Sequence, residues 1–252
     1  MNKHLLALSA CALLATPVMG ADLSRPAYKA ASPVAAVYNW SGFYIGAHGG
    51  YAWGRTIDTT NPGADQRKPD GGFGGLQAGY NWQGVNSPWV FGVEADVSFG
   101  DIKDSWGGAN QFDPYYGKDG LKTFGTFRGR IGYAVVPTTL LYVTGGLAWG
   151  QNEHGFGCDA NRVAVTLGCQ NKMPGSSPFY TKNTDTRVGY TVGAGAEIAL
   201  WDSWSTKIEY AYTDYGTETI NMVDPFYPAA QSARNFDGKY HTVKFGLNYR
   251  FR

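Results

Sequence analysis

Eight segments of this chain alternate between an uncharged, mostly large apolar residue and a small or charged one, and no other feature constrains its fold so strongly. Successive side chains of an extended strand point to opposite faces, so a period of two specifies a strand with two unlike faces. The clearest case is 89–100. Trp89, Phe91, Val93, Ala95, Val97 and Phe99 share one face, and Val90, Gly92, Glu94, Asp96, Ser98 and Gly100 share the other. Segments 43–54, 73–83, 123–135, 139–150, 187–200, 204–215 and 241–251 repeat the pattern. Asp214, past Tyr212 at the end of 204–215, is the one Asp, Glu, Lys or Arg in the apolar registers. The opposite registers hold Glu94, Asp96, Arg128, Arg130, Arg187, Glu197, Lys207, Glu209, Lys244 and Arg250.

The connections alternate too. Residues 55–72, 101–122, 151–186 and 216–240 are long and polar, whereas 84–88, 136–138 and 201–203 are tight turns. Long loops paired with short turns mark up-and-down membrane barrels. Alternation alone does not separate such a barrel from a soluble one with an apolar inside. Charge, volume and depth do. A cation on the lipid face at mid-bilayer costs about 2–4 kcal/mol, which explains its exclusion from one register. The charged register is also the glycine-rich one, so it suits the narrow lumen of eight strands. The aromatics fall near segment ends, as two interfacial belts require: Phe43, Trp82, Trp89, Tyr133, Trp204 and Tyr249 at one, Trp53, Phe99, Trp149 and Tyr212 at the other. The expected fold is all-β, an eight-stranded antiparallel up-and-down transmembrane β-barrel. Its lumen charges are expected to pair into a plug rather than line a pore.

The 252 residues carry a net charge of +1, which argues against a polybasic nucleic-acid binder. Residues 1–20 read as a signal peptide, with Lys3 and His4 before the apolar stretch Leu5–Ala15. Past them no run of about 20 apolar residues remains to form a membrane helix. Residues 21–40, with prolines at 26 and 33, read as a periplasmic leader. Residues 41–252 are the barrel, with four long extracellular loops and both termini in the periplasm. Loss of the signal removes Cys11 and leaves Cys158 and Cys169, an even pair in an exported chain, which reads as a disulfide.

No nucleophile–base signature is present, so an enzyme is not expected. His241 stands in the outward register with Thr242 beside it, but no Ser or acid stands at a recognisable motif spacing. His154 reads as a solvated loop residue. Asp101, Asp104, Asp113 and Asp119 do not match an EF-hand loop and read as solvated charges. No cofactor or metal is expected.

Near the C-terminus Val243, Phe245, Leu247, Tyr249 and Phe251 alternate in a pattern that looks like the signal read by the outer-membrane barrel-assembly machinery. Arg252 departs from it, since an aromatic usually stands last. With the segment Ala21–Tyr28, the run Trp40–Gly46 and the ending Gly246–Phe251, the chain resembles the small outer-membrane immunogenic proteins of alphaproteobacteria, relatives of the OmpA-type barrel. The resemblance covers the whole chain after the signal. It implies an abundant structural and surface-interaction protein of the Gram-negative outer membrane, in contact with membrane lipid and lipopolysaccharide. A small porin-like channel, or a surface protein with a haemin or host ligand at its loops, is the alternative; for haemin, His154 in the third long loop is the candidate ligand, with Tyr180 or Tyr227 as alternatives.

Overall fold

The computed structural model describes residues 38–59, 66–107, 115–158, 179–201, 203–224 and 227–251. The expected signal peptide, most of the leader and Cys169 lie outside them. In chain order the strands are β1 (Gly42–Asp58), β2 (Gln66–Arg67), β3 (Asp70–Gln83), β4 (Trp89–Gly107), β5 (Tyr115–Val136), β6 (Thr139–Cys158), β7 (Phe179–Trp201), β8 (Trp204–Asp224) and β9 (Tyr227–Arg250). β2 is a two-residue spur on the far end of β1. The other eight pair antiparallel with their chain neighbours, and β9 pairs back onto β1 from Tyr44–Arg250 to Asp58–Phe236. Closure leaves these strands no free edge.

Cα partners followed once around the ring run from Phe43 through Tyr80, Val93, Gly129, Gly145, Val192, Tyr212 and His241. They return to Trp53, ten residues further along β1. With strands about 4.8 Å apart and a rise of about 3.3 Å per residue, that stagger sets a tilt of about 40° and a backbone radius of about 8 Å. Such a lumen is filled by side chains.

The structure places the two faces as the alternation requires. Leu76, Phe127, Leu147 and Phe245 are exposed on the outside, whereas Glu94, Arg128, Lys207 and Glu209 are buried within. Aromatic pairs join neighbouring strands at the belts, among them Trp89–Tyr133 and Trp204–Tyr249, each with centroids 5.2 Å apart.

The strands outrun their expected length. Much of 101–122, 151–186 and 216–240, expected as loop, is strand: β8 continues to Asp224 and β9 starts at Tyr227. These extensions are largely polar, with apolar residues such as Ile102 and Leu121 only at their base, so no sustained apolar register announces them. The ladder supports them because neighbours that leave the outer belt together keep pairing. Register shifts cluster where the belt ends, at Phe99/Ile102, Leu121/Thr123 and Asp214/Thr217. A bulge re-aims side chains. The shift beyond Thr123 turns Leu121 inward although it shares its parity with the outward Phe127 and Ile131. At the opposite end the turns are tight, and Asn86 takes a left-handed φ of 57° there, a conformation asparagine tolerates.

Candidate functional site: the filled lumen and its loop-end rim

The inward face is layered. At the turn end Trp40, Val90 and Leu140, all fully buried, form an apolar floor with Tyr38, Ala134 and Ala199 packed against it. The Trp40 N–H donates to Gln83 Oε1 (2.8 Å), and its indole N–H donates to the Pro137 carbonyl (3.1 Å). The sequence reading assigned Trp40 to the leader. Its position immediately before the first alternating segment was the available signal.

Above the floor lies a lower charged group. Glu197 pairs with Arg130, lies 3.7 Å from Arg250, and accepts hydrogen bonds from Ser205 (2.5 Å) and Asn248 (3.1 Å). The Arg130 guanidinium stacks 3.6 Å over the Tyr142 ring. An upper charged group follows. Arg128 reaches Glu94 and Glu209 at 2.6 Å each and Asp96 at 3.3 Å. Lys207 pairs with Glu94 at 2.7 Å, and Lys244 bridges Asp96 (3.4 Å) and Glu209 (3.3 Å). Tyr44 donates to Glu94 (2.8 Å) and Tyr142 to Glu209 (3.1 Å). Each of these tyrosines lies across the ladder from a glycine, Gly79 and Gly195. A Cβ there would stand 2.5 and 2.6 Å from the phenol oxygens, so the glycines make the room. His48, four residues nearer the loop end than Tyr44, bonds Ser98 at 2.8 Å.

A second apolar layer closes the loop end: Ala52, Phe73, Ile102, Leu121, Phe124, Ala148, Tyr215 and Tyr240. Between it and the upper group lies a cavity of about 20 Å³ bordered by Asp96, Arg128 and Lys244.

Arg187 belongs elsewhere than its register suggested. It faces inward but lies beyond the second apolar layer, in a rim cluster drawn from five strands. Asp119 on β5 pairs with Arg67 on β2 and with His154 Nδ1 (2.6 Å). The other ring nitrogen of His154 lies 3.1 Å from Asp185 on β7, and Arg187 Nε reaches Asp185 (2.9 Å) and Glu218 on β8 (2.6 Å). Burial acts to raise the Asp185 carboxyl, but hydrogen bonds and charge from His154 and Arg187 outweigh it and hold the group at about 2. Glu218 is pushed up instead, by burial and by the neighbouring Asp185. His154 is therefore a half-buried clasp within a strand, not a solvated loop residue. Both its nitrogens are engaged, which leaves neither for haem iron. Asp119 is likewise paired rather than solvated.

The remaining sequence candidates scatter. Asp101 binds Lys103 and Lys122, Asp104 accepts the Lys68 N–H (2.8 Å), and Asp113 lies outside the described residues. His241 stacks outward on Trp53 and bonds Tyr210, whereas Thr242 faces the lumen. Tyr180 is exposed and stacks on Tyr116. The Tyr227 and Cys158 side chains are outside the described set. Phe245, Leu247, Tyr249 and Phe251 all face outward.

A family model for the outer membrane protein beta-barrel domain matches residues 28–251. The chain belongs to this family. Relatives agree along nearly the full length. The 31 kDa outer-membrane immunogenic protein of Brucella melitensis is 36% identical over 267 residues, covering 99% of this chain and 100% of the relative. The 22 kDa outer membrane protein of Rhizobium leguminosarum is 33% identical, covering 87% and 82%. Among solved structures, the attachment invasion locus protein Ail of Yersinia pestis aligns over 84% of this chain and 99% of its own, at 14% identity and a TM-score of 0.42. The apolar outer face is thus the lipid-facing surface of an outer-membrane barrel, and the charged layers lie at membrane depth.

Proposed function

We propose that this barrel acts as a structural and surface-interaction protein of the cell envelope, without enzymatic activity, and that its loop end carries its contacts. The supporting observation is the filled lumen. Two apolar layers bracket a paired charge network, and the cavity beneath the outer layer has room for one water. On this reading the loop end faces outward from the cell and the short turns face the periplasm. Residues 1–20 are removed as a signal peptide, and Cys158 and Cys169 form a disulfide in the longest connection. The outward row Val243, Phe245, Leu247, Tyr249 and Phe251 serves the assembly machinery. The lipid-facing surface contacts membrane lipid and lipopolysaccharide.

Planar-bilayer recording of the refolded barrel tests the central point. The expected result is an absence of steady single-channel openings. Steady ion-selective openings would overturn the reading in favour of a small porin.

A further inference from the structure

The two charged groups in the lumen differ in one respect. In the upper group three cations, Arg128, Lys207 and Lys244, face three carboxylates, Glu94, Asp96 and Glu209. In the lower group two cations, Arg130 and Arg250, face one carboxylate among the described residues, that of Glu197. Arg130 is 2% exposed and Arg250 is fully buried. A buried charge without a counter-charge is strongly unfavourable.

Glu197 makes no hydrogen bond to Arg250. One carboxylate oxygen takes Arg130. The other takes Ser205 and Asn248, and Arg250 Nη2 stays 3.7 Å away, beyond hydrogen-bond reach. Both guanidinium groups lie beside the same carboxylate and keep unused donors. Among the described residues, Nε and Nη1 of Arg130, Nε and Nη2 of Arg250, and Nδ2 of Asn81 have no hydrogen-bond partner.

Two glycines bring these side chains to one level. Asn81 lies across the ladder from Gly42 on one side and Gly92 on the other, and Gly92 lies across from Arg130. A Cβ at Gly42 would stand 3.5 Å from Arg250 Cγ, and one at Gly92 would stand 2.4 Å from Asn81 Oδ1. Aromatic rings cover the guanidinium faces, Tyr142 over Arg130 and Trp40 at 4.9 Å from Arg250. The N–H edges are what remain for a ligand.

We propose that Arg130, Arg250 and Asn81 form a binding site for one small monovalent anion of the halide class, with chloride as the occupant. One negative charge balances the lower group. A halide only accepts hydrogen bonds, which matches a cluster rich in unused donors. The Asn81 carbonyl oxygen is unpartnered as well, so a water accompanies the ion. The inference rests on the filled-lumen reading, but its test does not measure conductance, so the two fail separately.

Crystals of the wild-type barrel grown in bromide supply the direct test. The expected result is an anomalous peak at about 3.3 Å from the Arg130 and Arg250 nitrogens, near hydrogen-bond range for an ion larger than oxygen. The solution test is urea unfolding in detergent, with chloride exchanged for isethionate at constant ionic strength. The unfolding equilibrium constant should fall about tenfold when chloride reaches about ten times its Kd. Arg250→Gln should abolish that dependence, and Arg55→Gln, at an exposed position on the outer face, should keep it. Bromide confined to the protein surface, or equal chloride dependence in wild type and R250Q, would overturn the proposal. If R250Q does not fold, the bromide map decides.

Discussion

Replacement of Arg128 by methionine is the sharpest probe of the lumen. The side chain is fully buried, and its guanidinium is the one group that touches all three upper carboxylates, two of them at 2.6 Å. Methionine fills similar length without charge. It leaves Lys207 and Lys244 to balance Glu94, Asp96 and Glu209, so one buried carboxylate loses its counter-charge. Breaking a buried pair from one side costs about 3–5 kcal/mol, mostly because the remaining charge is stranded. The double variant Arg128→Met with Glu209→Gln restores equal numbers, two cations against Glu94 and Asp96. Glu209 is chosen because Arg128 and Lys244 are its salt-bridge partners and Lys244 keeps Asp96. The double variant should therefore recover most of the loss. The assay is reversible urea unfolding in micelles followed by tryptophan fluorescence, with unboiled gel mobility as the check that each variant is folded. A loss below about 1 kcal/mol for the single variant would place it in the range of exposed ion pairs. The network would then be hydrated, and the filled-lumen argument would fail.

Trp40→Ala removes the largest side chain of the floor, and a loss of about 3–5 kcal/mol is expected in the same unfolding assay. A leader-like, solvated Trp40 would lose almost nothing. Leu76→Arg puts a cation on the lipid face near the middle of β3 and should cost about 2–4 kcal/mol in bilayers; a neutral result would mean that this face does not meet lipid. Acid should loosen the rim. The folded carboxyl of Asp185, at about 2, lies below its ordinary 3.8, so its contribution is full above pH 3.8 and is lost as pH falls toward 2. Glu218 works in the opposite sense, because its raised carboxyl favours the fold only at low pH and loses that contribution as pH rises. Amide exchange in β6 and β7 beyond the outer belt should therefore quicken on acidification below pH 3.8, and Asp185→Asn should remove that step. Equal pH profiles for wild type and D185N would refute the clasp.

Legibility in the sequence followed physical range. The alternation is local, so residues such as Glu94, Arg128 and Phe99 reveal their faces with no knowledge of their partners. The strand extensions beyond the outer belt were not legible, because they carry no sustained apolar register and pair only where neighbours carry them upward. Leu121 and Arg187 mark the same limit. A bulge reverses the parity of one, and an apolar layer built from several strands separates the other from the lumen charges.

The sequence by itself determined the class of barrel, the number of full strands and which face meets lipid, since each depends on side chains within one segment. The tertiary structure decided which charges meet. Partners across the lumen depend on the ten-residue stagger accumulated around the ring, and that quantity exists only once β9 closes on β1. It is this closure that places Arg130 and Arg250 beside a single carboxylate, and that sets Trp40 beneath them as a floor.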